Sequence, residues 1–169
     1  ANVTLHDISA YAYFQEHDLQ QELDGHTWDV AMLGGSGNAT EIIETLVQLL
    51  PMANEHSVVL IRNTCPPVAP PNTTDKNEEA YCGDTWKAAV AIAEVASASC
   101  LQTFLCAPAG LTVIRNLQQL QNERDFANRI RQGIEQLEPL DMDSVPEIEQ
   151  KLNAAPLSAQ ALPTQRRAE

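Results

Sequence analysis

Two short, nearly continuous apolar runs constrain this chain more than any other feature. Trp28-Asp-Val-Ala-Met-Leu33 ends in glycines, and Ser57-Val-Val-Leu-Ile61 follows a stretch of helical periodicity. Apolar runs this short fit strands buried on both faces of a sheet. Between them Ile42, Ile43, Leu46, Leu49 and Leu50 share one face of an amphipathic helix. Asn38 followed by Glu41 makes a capping box at its start, and Pro51 stops it. A strand, a crossover helix and a second strand form a βαβ unit with parallel pairing. The fold class is therefore α/β.

The remaining elements extend this unit. Val3 to Leu5 reads as a short strand, with brief helices over Ser9 to Phe14 and Asp18 to Leu23. Asn63 to Gly83 is an irregular loop containing Pro66, Pro67, Pro70 and Pro71. Asp84 caps a following helix in which Trp86, Val90 and Ala93 share a face. Leu101 to Leu105 and Leu111 to Ile114 flank Ala107-Pro-Ala-Gly110, a hairpin signature. One long helix is expected from Leu117 to Leu137, with Phe126, Ile130 and Ile134 at helical spacing. From Glu138 onward Pro139, Pro146, Pro156 and Pro163 punctuate a polar stretch with one short helix near Pro146 to Leu152. The expected division is a domain over residues 1–137 and an extended C-terminal arm over 138–169.

Charge narrows the function. The formal net charge is −13, and 14 acidic against 4 basic residues occur through Gln118, so the excess lies on the domain. Such a surface repels phosphate backbones and anionic headgroups, which argues against nucleic acid as a partner. The acidity serves solubility, or it offers a docking face to a basic partner. No apolar run approaches the roughly 20 residues of a membrane helix, so a soluble chain with no transmembrane segment is expected. The opening at Ala1, with neither methionine nor a signal-like stretch, fits a processed chain or a piece of a longer one.

Cys65, Cys82, Cys100 and Cys106 lack the spacing of a zinc or redox site. They are buried thiols, or disulfides of which Cys65–Cys82 and Cys100–Cys106 would close the shortest loops. Asn2, Asn38 and Asn72 head glycosylation-like triplets. His6, His17, His26 and His56 show no metal-ligand spacing, and no catalytic constellation stands out.

One motif could carry chemistry. Gly34, Gly35, Ser36 and Gly37 lie between a strand and a helix start, where backbone amides attract anions. A phosphate loop needs a following Gly-Lys-Ser/Thr, and a nucleophile elbow needs glycine at Asn38. The dinucleotide pattern has Thr40 in its third glycine position, and Arg62-Asn63 where a ribose-binding acid belongs. An arginine there suits the 2′-phosphate of NADP. The competing reading is a tight packing turn.

The order of elements, with particular local words, resembles the second half of a class I S-adenosylmethionine-dependent methyltransferase. The words are Phe14-Gln-Glu-His-Asp-Leu19, Asp29-Val-Ala-Met-Leu33, His56-Ser-Val-Val-Leu-Ile61, Cys82-Gly-Asp-Thr-Trp-Lys87 and Ala109-Gly-Leu-Thr-Val-Ile114. The resemblance covers roughly residues 3–117, and Gly-Asp-Thr-Trp-Lys is its most specific word. It implies a partial Rossmann-like sheet, mostly parallel, with a C-terminal antiparallel hairpin and flanking helices.

The departures bear on activity. Where the family has Asp-Gly-x-His after its fourth strand, this chain has Leu33-Gly-Gly-Ser-Gly37, and paired aspartates after the fifth are replaced by Arg62-Asn63. The family's cofactor-binding strands have no counterpart before Trp28. The resemblance thus implies a non-catalytic, methyltransferase-like domain without a cofactor, docking in a larger assembly through the Trp28–Leu33 edge and the 138–169 arm. The alternatives are the C-terminal half of a split enzyme using S-adenosylmethionine, and a nucleotide-binding module built on Gly34–Gly37.

Overall fold

A computed structural model describes residues 25–34, 37–65, 83–96, 100–106, 109–122, 125–138 and 145–156. The elements expected before Gly25 lie outside the described residues, as do Cys82, Asn2, Asn72, His6 and His17. The chain forms β1 (Trp28–Leu33), α1 (Ala39–Leu49), a single 3-10 turn (Leu50–Met52) and β2 (Ala53–Arg62). It continues through α2 (Thr85–Val95), β3 (Leu101–Leu105), β4 (Leu111–Ile114), α3 (Leu117–Asn122), α4 (Phe126–Gln136), α5 (Val145–Lys151) and β5 (Ala154–Pro156).

These strands make one sheet in the order β1-β2-β4-β3-β5. β1 runs parallel to β2, β4 lies antiparallel to both β2 and β3, and β5 pairs parallel to β3. β1, β2, β3 and β5 therefore run in one direction and β4 alone runs against them, a mixed, Rossmann-like α/β sheet with the expected antiparallel β3–β4 hairpin and flanking helices. Register along β1 is Val30 to Val58, Met32 to Leu60 and Leu33 to Ile61. Trp28 pairs with Ala53, so residues 54–57 bulge out of the ladder. The bulge is held by its own polar groups: Ser57 Oγ donates to the Trp28 carbonyl and accepts from the Asn54 amide at 2.9 Å. That bulge makes β2 longer than the apolar run Ser57–Ile61.

The sheet's two faces differ. Ser57, Val59 and Ile61 are buried, whereas Val58 and Leu60 between them are only half-buried. Val59 and Ile61 join Ile42, Ile43 and Leu46 of α1, Ile92 of α2, Leu117 and Leu120 of α3 and Ile130 of α4 in the main core. Trp28 Nε1 donates to the Leu49 carbonyl at 2.9 Å, pinning the start of β1 to the end of α1.

The long C-terminal helix expected over Leu117–Leu137 is two helices. Both apolar stripes must face the core, yet Phe126 lies nine residues beyond Leu117, about half a turn out of phase in one continuous helix. The break resolves that conflict at Asp125, which adopts a left-handed φ of 58°. Part of the expected arm is also folded. α5 lies on α2 through Ile148 and Leu152, and β5 extends the sheet beside β3. Residues 145–156 thus cover the edge opposite β1.

Arg131 of α4 grips Glu44 of α1 in a forked contact, Nε to Oε1 at 2.7 Å and Nη2 to Oε2 at 2.8 Å. That hydrogen bond holds the Glu44 carboxyl below its ordinary value of 4.5. A depressed carboxyl pKa stabilises the fold above the unfolded value, and the benefit fades as pH falls through the folded one. Both side chains are partly solvated, so Arg131→Gln is expected to lose less than about 1 kcal/mol at neutral pH. In urea melts across pH, the gap between variant and parent should close below pH 4.5.

Candidate functional site

Gly34 ends β1 with φ +118°, and an added Cβ would meet Arg62 backbone atoms at 3.2 and 3.3 Å. Only glycine fits this approach without strain. Gly35 and Ser36 lie outside the described residues. Gly37 has φ +73°, and Asn38 then takes an extended conformation as the N-cap of α1. Its side-chain oxygen accepts the Glu41 amide at 3.2 Å, the first half of the expected capping box.

The second half of this junction comes from across the fold. Asp84 Oδ1 accepts the Ala39 amide, the first of α1, at 2.7 Å. The Asp84 amide donates to the Gly37 carbonyl at 2.9 Å. Gly83, at φ +54°, lies directly against that carbonyl, where no Cβ would fit. Asp84 stands at the N-cap position of α2, as its sequence context suggests, yet its side chain makes no capping bond there. It caps α1 instead, placing a carboxylate at the positive end of that helix dipole. Asp84→Ala is expected to lower stability by about 1–2 kcal/mol, the range of a lost charged cap. Asp84→Asn keeps an acceptor oxygen and should lose less, as read by urea unfolding.

The structure therefore brings Gly34 to Arg62, and Gly37 to Gly83 and Asp84. Sequence reading missed the last pairing. The available signal was a repeated pattern, glycine followed by Asn or Asp at a helix start, at Gly37-Asn38 and Gly83-Asp84.

Next to this turn, β1 forms an edge of the sheet among the described residues. Val30 is 63% exposed and Met32 61%, and among the described residues the only other exposed large hydrophobic is Leu105 at 37%. Val30 and Met32 are two residues apart, so they share a face, beside half-buried Val58 and Leu60. Asp29, on the other face of β1, is exposed.

The end of β2 is taken up by the backbone rather than by acidic side chains. Asn63, at φ 60°, donates its amide to the Gly110 carbonyl at 3.0 Å, and Cys65 donates to Ala109 at 2.8 Å. Beside them runs a buried hydroxyl chain, Thr103 to Thr112 at 2.7 Å and Thr112 to Thr64 at 2.8 Å. Buried hydroxyls that bond one another avoid the desolvation penalty of unpaired groups.

Cys100 and Cys106 are free thiols, which removes the Cys100–Cys106 pairing. The reason is geometric: β3 lies extended between them, and an extended strand rises about 3.3 Å per residue, far beyond disulfide reach. Cys100 Sγ instead lies 2.8 Å from Gln119 Oε1. Among the described residues no group of His, Cys, Asp and Glu could hold a metal ion, and no helix is long and apolar enough to cross a membrane. No protein-family model, curated protein or solved structure matches this chain.

Proposed function

We propose that this chain is a non-catalytic, methyltransferase-like domain that serves as a structural or docking subunit of a larger protein assembly. The observation that carries this reading is β1, a six-residue strand at the sheet's edge among the described residues, presenting Val30 and Met32 to solvent. An exposed apolar edge gains free energy by pairing its backbone and covering its side chains with another chain. In the family that the sequence resembles, the equivalent strand is central and paired on both sides. The parallel β1–β2 pair, its crossover helix and the β3–β4 hairpin support that resemblance.

The turn after β1 lends the reading further support. A bound phosphate at the α1 N-terminus would meet the Asp84 carboxylate already accepting the Ala39 amide. Two like charges cannot share that position favourably, which weighs against a nucleotide module at Gly34–Gly37.

Isolating the chain from its native source and identifying a stoichiometric companion tests the assembly directly. Calorimetry on the free chain should then give no heat with S-adenosylmethionine or NADP. Tight binding of S-adenosylmethionine by the free chain overturns the reading. Binding only after the companion is added assigns the chain to a split methyltransferase instead.

A further inference from the structure

We infer that the partner seated on β1 is an extended segment of another protein in which apolar residues alternate with lysine or arginine. This rests on the docking reading above and names the chemistry of the occupant. β1 sets the alternation. Val30 and Met32 point to one face, 63% and 61% exposed, and Asp29 lies exposed on the other. A strand added beside β1 places its own alternate side chains against each face. Its apolar positions cover Val30 and Met32, and one intervening position meets Asp29, while Ala31 and Leu33 of that same face pack into the main core.

Charge decides the sign of those intervening residues. From Trp28 to Arg62 the acidic residues are Asp29, Glu41, Glu44 and Glu55, against the single Arg62. Glu44 is already held by Arg131, while the Glu55 side chain, in the bulge beside Trp28, is 73% exposed. The whole chain carries −13, so a second copy approaching this edge meets a like-charged surface. A cationic segment is instead drawn toward it, and its association is weakened by salt.

The test uses three labelled seven-residue peptides: Lys-Val-Lys-Val-Lys-Val-Lys, the same with Ser for Lys, and the same with Glu for Lys. Fluorescence anisotropy should show the lysine peptide binding at least about tenfold tighter than the serine peptide, with the glutamate peptide weakest. The preference should shrink at high salt. Val30→Lys with Met32→Lys should abolish the binding. Both positions are mostly solvated, so an unchanged thermal melt shows that this variant folds.

If the lysine peptide binds the variant undiminished, it sits on acidic surface elsewhere and the inference fails. Equal binding of lysine and serine peptides, lost together in the variant, removes the basic partner but leaves the docking reading standing. A stable dimer of the free chain that the variant dissolves makes the occupant a second copy and overturns the inference. Failure of all three peptides to bind also overturns it.

Discussion

Gly83→Ala should destabilise the chain by about 3–5 kcal/mol, one of the two largest single-residue effects expected here. Three losses combine. Gly83 has φ +54°, and left-handed backbone costs a residue with a Cβ about 1–2 kcal/mol. The new Cβ would also overlap the Gly37 carbonyl, whose carbon and Cα lie 2.8 Å away. Those neighbours are backbone, so the two helix starts must separate. Separation weakens the Asp84–Gly37 bond and the Asp84–Ala39 cap, each worth about 1 kcal/mol or more. Gly25→Ala isolates the first loss, because Gly25 has φ +74° with nothing within 4 Å of its added Cβ. It should lose only about 1 kcal/mol. Equal effects of the two substitutions in urea melts would mean that the Gly37 contact contributes nothing.

Trp86→Ala should cost a similar amount, about 3–5 kcal/mol, by a different route. Trp86 is 4% exposed and anchors a second core cluster with Ala89, Val90, Ile148 and Leu152. The Lys87 ammonium lies 5.7 Å from its ring centroid and donates to the Leu137 carbonyl at 2.5 Å. α5 has seven residues, too few to hold helical structure without packing. Emptying the Trp86 site should therefore release α5 and β5 from α2 and β3 before the rest of the sheet opens. Amide hydrogen exchange should show protection falling further over residues 145–156 than over β2. Trp86→Phe keeps most of the apolar surface and should retain most of that protection.

How much of this the sequence discloses depends on how far each determinant reaches along the chain. β1, β3 and β4 occur at the bounds that their apolar runs and flanking turns predict, because burial pattern is local information. The N-terminal half of β2 is polar and escaped notice, since its bulge depends on Asn54 and Ser57 bonding back to β1. β5 could not be read at all: Ala154-Ala155-Pro156 has little strand propensity and pairs only because β3 offers an edge, where proline is tolerated. The turn after β1 was legible as a glycine-rich helix start. Its partner at Gly83-Asp84 was not, because the contact spans 45 residues and the local sequence of Asp84 points to its own helix.

Amide exchange along Trp28–Leu33 in the free chain, resolved residue by residue, tests the open edge most directly. Alternate amides of a parallel edge strand point inward to the neighbouring strand and outward to water. Fast and slow exchange should therefore alternate through β1 while Val59 and Ile61 stay slow throughout. Uniformly slow exchange across all six residues of β1 would mean that the edge is already covered, and the docking account would fall with it.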